Sequence, residues 1–264
     1  MAKIIFGNAT FDELSLGSLY ETEVELALKQ RAHRIFPGFM YSDFKCIVSN
    51  NYDQRKPDFA LIEENYRSWW VCELETANHS LDGHVLPQVR TFLTGTYGEA
   101  ALRWLLRARP DLDPDRLRLL VKNEQPQVLV VVNKFSEHWA KAITNVGAYL
   151  GVFEIFRSSE GQIVFRVNGY VPTPEPERLS ICEIDPMLPR LIRIRSPGAL
   201  SFVGGATYTV SRDGALAEWR AVVTGDAVWL SPIKGAQLPK QRVFALTRDS
   251  FQNLYFVPIR RGEV

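Results

Sequence analysis

The chain is poor in cysteine: Cys46, Cys72 and Cys182 are its three thiols, and none falls in the Cys-x-x-Cys spacing of a tetrahedral zinc site. An odd number in no such pattern reads as reduced, buried small hydrophobes. No stretch approaches the ~20 consecutive apolar residues that span a bilayer. The opening Met-Ala-Lys-Ile-Ile-Phe-Gly-Asn carries an apolar run far shorter than the ~7 to 15 residues of a signal-peptide core. A cytoplasmic location without membrane contact is therefore expected. Excess charge of one sign is also missing: a formal net charge of +1 is not that of a polybasic nucleic-acid binder. Internal repeats and low-complexity segments are absent too. With 264 residues, 46% of them hydrophobic and 23% charged, the composition is that of one or two globular domains with a sizeable core.

The charge is unevenly spread. From residue 178 onward there are 12 Lys and Arg against 7 Asp and Glu, so the remainder is net acidic. This fits a basic accessory domain beside an acidic one. Three prolines within Pro172-Thr-Pro-Glu-Pro-Glu177 read as an extended linker between them. The expected division is 1–171, a linker at 172–177, and 178–264.

Within the first part, Val24, Leu28, Ala32 and Ile35 recur at helical spacing, so 18–36 is expected to be a helix, capped by Ser18 and ended by Pro37-Gly38. Strands are expected at 44–48, 57–62 and 69–76, the last two joined by a polar hairpin connection. Helices should follow from Ser80 to about residue 93, with Pro87 in a first turn or at a kink, and over 99–108. Asp113-Pro114 should cap and open a further short helix. The run Val128-Leu-Val-Val-Val132 implies a strand buried on both faces, reached by a parallel crossover. A helix over 136–150 and a hairpin of 152–157 with 162–168 complete an α/β layer, antiparallel in front and parallel behind. Beyond the linker, short strand-like runs at 191–195, 201–203, 207–210, 217–222, 227–230 and 242–246 suggest a small all-β module of barrel type.

The chemistry concentrates on Trp70-Val71-Cys72-Glu73-Leu74-Glu75. Alternation puts Glu73 and Glu75 on one strand face, and a hairpin partner beginning Arg55-Lys56-Pro57-Asp58 can bring a third carboxylate beside them. Converging hard oxygen donors suit Mg²⁺ or Mn²⁺ rather than zinc. His79 and His84 follow the acidic strand, where they either face a substrate or serve as ordinary loop and helix residues. Arg193 and Arg195 alternate with Ile192 and Ile194, and so form either a phosphate-contacting face or the solvated side of a half-buried strand. Trp219, Trp229, Tyr208 and Phe251 fit base stacking or, more simply, core packing.

Pro57-Asp58 followed by Glu73-Leu74-Glu75 resembles the motif of the PD-(D/E)XK, or restriction-endonuclease-like, nuclease superfamily. The resemblance covers roughly residues 18–168 and extends to the expected order α-β-β-β-α-β. It implies an α/β fold with a restriction-endonuclease-like core, a mixed sheet flanked by helices, binding Mg²⁺ or Mn²⁺ through Asp58, Glu73 and Glu75. It also implies an inward glutamate on the first helix, here Glu21 with Glu25 at the edge of the apolar stripe. A contact from the helix after the motif is loosely matched by Gln88-Val89-Arg90-Thr91-Phe92. The family lysine is replaced by Glu75. Either Glu75 substitutes for it, the preferred reading, or Lys56, two residues before Asp58, supplies the ammonium. The implied activity is hydrolysis of nucleic acid, DNA foremost, by an endonuclease of restriction or antiphage defence. Arg193 and Arg195 would then be nucleic-acid contacts, and a homodimer is left open. The competing expectation is a nuclease-fold binding module without catalysis.

Overall fold

In the computed structural model, residues 2–14, 21–195, 202–212, 214–233, 236–249 and 252–259 are described. The chain divides into two compact units, Met1–Pro174 and Glu175–Val264, the break falling inside the proline-rich segment. No helix among the described residues is long and apolar enough to cross a membrane.

The first unit opens with a hairpin that the sequence pattern did not suggest, β1 (Lys3–Phe6) and β2 (Ala9–Glu13), turning at Gly7, whose φ of 58° suits a residue without a Cβ. Next come α1 (Glu21–Ile35), β3 (Phe39–Asp43), the two-residue strands β4 (Val48–Ser49) and β5 (Gln54–Arg55), β6 (Phe59–Glu63) and β7 (Trp69–Glu75). A π-helical turn, Leu81–Val85, leads into α2 (Leu86–Thr94). It is followed by α3 (Glu99–Ala108), α4 (Pro114–Asn123), β8 (Gln127–Val132), α5 (Glu137–Asn145), β9 (Tyr149–Ser158) and β10 (Ile163–Gly169). Ser18, the expected cap of α1, lies outside the described residues.

Three local differences from expectation have physical causes. In place of a strand at 44–48, β3 begins at Phe39, because the chain turns at Gly38 (φ 80°) straight into the sheet, and residues 44–47 then cross irregularly. The helix from Ser80 is split. Ser80 caps it by accepting from Gly83 N at 3.1 Å, but regular α-geometry starts only at Leu86, leaving Pro87 in a first turn where a missing N–H is harmless. The helix expected over 136–150 stops at Asn145: Gly147 adopts φ 87° and Ala148 N donates to Ile143 O at 3.1 Å, which releases the chain into β9.

The strands form an eight-stranded mixed sheet in the order β1-β2-β9-β8-β7-β6-β3, with β10 paired along the other edge of β9. β3, β6 and β7 are antiparallel neighbours, whereas β7, β8 and β9 run parallel. Every residue of β6 and β7 is buried, because helices cover both faces. On one face Val24, Leu28 and Ala32 of α1 pack with Phe59, Leu61, Trp70, Cys72 and Leu74. On the other, Leu86, Val89 and Phe92 of α2 pack with Ala60, Ile62, Trp69, Val71 and Val130.

The second unit contains β11 (Glu177–Ile184), β12 (Ile192–Ile194), β13 (Thr207–Arg212), β14 (Ala215–Thr224), β15 (Ala227–Pro232), β16 (Val243–Arg248) and β17 (Leu254–Pro258). They close into a seven-stranded barrel, β11-β12-β15-β14-β13-β17-β16, with the parallel pair β13-β17 in the ring. Cys182, Ile192, Trp219, Leu230, Phe244 and Phe256 fill its core. β11 and β17 were not legible in the sequence; a register shift between Arg178 and Ser180 breaks the alternation of β11. Of the strand expected at 201–203, residue 201 lies outside the described residues and the rest is irregular.

Candidate functional site

The acidic motif sits where β6 and β7 begin to part. Phe59 pairs with Cys72, and Asp58 N donates to Cys72 O at 3.1 Å, so Asp58, one residue before β6, lies beside Glu73. Its carboxylate then takes over a strand's role: Oδ2 accepts from Leu74 N at 2.7 Å. Along β7, Trp69 and Val71 face the α2 side of the sheet and Trp70, Cys72 and Leu74 face α1. Glu73 and Glu75 continue the first set by the two-residue period.

The cation at Asp58 is Lys45, which sequence reasoning missed. Its Nζ lies 2.5 Å from Asp58 Oδ1 and 3.2 Å from Glu25 Oε1. The irregular stretch after β3 carries Lys45 there, with Phe44 N donating to Asp58 O at 3.1 Å. The only sequence signal was a lone lysine between the apolar Phe44 and Cys46. Lys56 does not fill this place. It is exposed, precedes β6 rather than belonging to it, and makes no ion pair among the described residues, so the strand-face argument for it fails. Of Glu21 and Glu25, the two α1 glutamates that the resemblance singled out, Glu25 at the edge of the stripe reaches this cluster through Lys45. Glu21 is the first residue of α1, and its side chain lies outside the described residues.

The other two carboxylates are held from the opposite layer. Gln88 of α2 is buried and its Nε2 donates to Glu73 Oε1 at 2.6 Å, so this residue, read from sequence as only a loose motif match, reaches the site. Glu75 ends β7 with a side chain only 2% exposed. His79 Nδ1 is hydrogen-bonded to Glu75 Oε2, and His84 Nε2 lies 3.6 Å from Oε1. The nearest ligand atoms of Glu75, His79 and His84 all lie within 4.8 Å of one another.

The local potential is negative. Burial first, then the charges of Asp58 and Glu73, pushes the Cys72 thiol well above its ordinary range. Burial, followed by Asp43, Glu25, Cys72 and Asp58, likewise pushes the Tyr41 phenol up. Burial pulls the Lys45 ammonium down, but its hydrogen bonds and charge interactions with Asp58 and Glu25 outweigh that, and its pKa is raised.

In the barrel, Arg193 is exposed on β12 and makes no close ion pair among the described residues, while Arg195 is tied to Glu183 at 2.5 Å. The hydrogen bond from Arg195 outweighs the opposing effect of burial and, with the charges of Arg195, Arg193 and Arg242, lowers the pKa of Glu183. One of the two expected phosphate contacts is thus already paired. Trp219 is in the barrel core rather than on a base-stacking surface. Trp229 Nε1 donates to Asp185 at 2.9 Å, the Tyr208 hydroxyl accepts from Val203 N at 2.9 Å, and Phe251 lies outside the described residues.

Comparison with protein-family models, with curated proteins and with solved structures returns no match. The class that fold and site define is therefore the architecture itself, a mixed α/β sheet unit followed by a closed β-barrel.

Proposed function

We propose that the first unit is a divalent-metal-dependent phosphodiesterase acting on nucleic acid, with DNA as the first substrate to test. The observation that carries this reading is the position of Asp58 against Glu73 in the β6–β7 register, with Glu75 next on the same face. The strand order β3-β6-β7-β8, with α1 on one face and α2 on the other, agrees with the core that the motif resemblance implies.

The donor types fit a hard cation: Asp58, just before β6, and Glu73 of β7 lie at neighbouring register positions, and a carboxylate oxygen that accepts one hydrogen bond keeps lone pairs for an ion. A divalent ion held by Asp58 and Glu73, Mg²⁺ or Mn²⁺, would neutralise the scissile phosphate and make a nearby water more acidic. Leu74 N and Gln88 fix the orientation of the two carboxylates. Lys45 stands beside Asp58 and supplies a positive charge for a phosphate oxygen, the part given to Lys56 in the alternative to the preferred Glu75. Glu75, positioned by His79, accepts a proton from the attacking water or ligates a second ion. The β-barrel, with Arg193 exposed, serves as the accessory recognition module. Restriction or antiphage defence is the role this pairing of units fits, by analogy of architecture.

A second reading has its own observation: both oxygens of Asp58 are already engaged, by Lys45 and Leu74 N, as in a binding module whose acids have become structural. Incubating the purified protein with supercoiled, linear and single-stranded DNA and with RNA, in Mg²⁺, Mn²⁺ or EDTA, separates the two. Cleavage that EDTA stops supports the hydrolase; intact substrates in every metal support the binding module.

A further inference from the structure

We propose that Glu75, His79 and His84 form a second metal site, selective for a borderline transition ion such as Zn²⁺ over Mg²⁺. The sequence had pointed only to oxygen donors and hard ions. Its thiols are buried and dispersed, and its histidines stand in no familiar zinc spacing with them. Tertiary structure changes the donor set at Glu75 from oxygen alone to one carboxylate and two imidazoles, a combination that favours Zn²⁺ and its neighbours.

The fold builds the site from one fixed ligand and two adjustable ones. Glu75 is held at the carboxyl end of β7, paired with Val132 of the parallel strand β8. Its side chain is 2% exposed, while those of His79 and His84 are 38% and 50% exposed. His79 is set by a turn in which its N donates to Thr76 O at 3.0 Å. His84 lies in the π-helical turn, where both His84 N and Val85 N donate to Ser80 O, at 3.0 and 3.2 Å. That widened turn brings His84 back over the end of β7, and the two imidazole rings meet edge to face with centroids 5.3 Å apart. Isolated π-turns of this kind often occur at functional sites.

Ligand atoms within 4.8 Å of one another need only a small contraction to reach the roughly 3.3 Å separation implied by tetrahedral Zn–N and Zn–O bonds of about 2.0 to 2.1 Å. The two half-exposed imidazoles can supply it by rotation. A buried carboxylate is costly unless its charge is compensated, and a dication is a strong compensator. Three protein ligands leave a fourth position open toward solvent, the arrangement of an ion that acts rather than one that only braces the fold. The assignment rests on these three side chains and stands whether or not the unit cleaves nucleic acid.

The test is calorimetric titration of the untagged, metal-free full chain with Zn²⁺, in parallel with Mg²⁺, and thermal denaturation with and without Zn²⁺. One equivalent of Zn²⁺ should bind with micromolar or tighter affinity and raise Tm, and millimolar Mg²⁺ should not displace it. His79→Ala and His84→Ala should each weaken binding at least ~10-fold. His84→Asn, which keeps a polar side chain at this exposed position, should do the same while circular dichroism remains native. The double variant of the other two histidines, His33→Ala with His138→Ala, should bind as wild type. The proposal is overturned if no saturable binding is seen, or if folded His79→Ala and His84→Asn proteins bind Zn²⁺ as tightly as wild type. Zn²⁺ binding in a protein that cleaves nothing supports this site and removes only the phosphodiesterase reading.

Discussion

The two ends of the acidic row on β7 are built from different chemistry. At Asp58 and Glu73 the partners include an ammonium, a backbone amide and a side-chain amide, donors whose character is unchanged around neutral pH. Two residues further on, Glu75 meets two imidazoles, which can donate, accept or ligate. The carboxylates at the two ends of this row therefore have different surroundings. The first is held by fixed positive and dipolar groups drawn from the segment after β3, from β7 and from α2. The second is held by groups that can exchange a hydrogen bond for an ion.

The sharpest way to break that comparison is to remove the acids one at a time. Asp58→Ala or Glu73→Ala should lower single-turnover cleavage of plasmid DNA in Mg²⁺ by about 10³-fold, the several kcal/mol that charge stabilisation at a phosphate supplies. A purified, folded Asp58→Ala protein that cleaves like wild type would end the proposed chemistry. Glu75→Ala should cost at least ~100-fold, as the loss of a positioned base does. Lys45→Ala should be severe and Lys56→Ala near neutral in the same assay; the reverse ranking would restore Lys56 as the substitute for the motif lysine.

Stability sharpens the contrast from another side. Gln88→Leu keeps the volume but removes the amide from the buried Glu73 carboxylate, and should destabilise the first unit by about 1 to 3 kcal/mol in urea denaturation. A change within a few tenths would mean that Gln88 contributes nothing to holding Glu73.

In the second unit the effects should be smaller. Arg193→Ala should reduce the salt dependence of duplex binding by the full chain by about one unit of slope, and Arg195→Ala by less, because Arg195 is already paired with Glu183. Equal slopes for wild type and both variants would remove this face from the interface.

The smallest expected effect is a pH dependence at an exposed ion pair after α3. A hydrogen bond from Arg109 is the main cause holding the Asp111 carboxyl down at about 2, and Arg109 in turn donates to Tyr41 O at 2.5 Å, tying the end of α3 to β3. A lowered folded-state pKa means that this contribution is present above the ordinary value of 3.8 and is lost as pH falls through about 2. Asp111→Asn should therefore narrow the stability difference between about pH 5 and about pH 2. An unchanged difference would show that the exposed pair contributes nothing, as many surface pairs do.

The legible parts were those encoded locally. Strand alternation put Glu73 and Glu75 on one face, and Asp113-Pro114 announced a helix whose cap accepts from Asp115 N and Arg116 N at 3.0 Å. The buried run of β8 pointed to its parallel neighbours, and Ile192 and Ile194 to the inward face of β12. These follow from period and capping, which need only nearby residues.

What the chain's order could not reveal was which distant groups meet. Lys45 reaches Asp58 across 13 residues because the irregular crossing after β3 passes the parting of β6 and β7, a course fixed by how Phe44 and Cys46 pack rather than by any pattern around the lysine. The barrel's first strand hid behind a bulge, and its last pairs with a strand remote in sequence as well as with its neighbour. His79 and His84 looked like ordinary loop and helix residues until a widened π-turn brought both to Glu75. Sequence by itself determined the acids, their shared strand face and the two kinds of secondary structure on either side of residue 174. Tertiary structure alone decided the partners of each acid, because a carboxylate's chemistry is set by the charges and donors within a few ångströms, and those arrive from elements that only folding brings together.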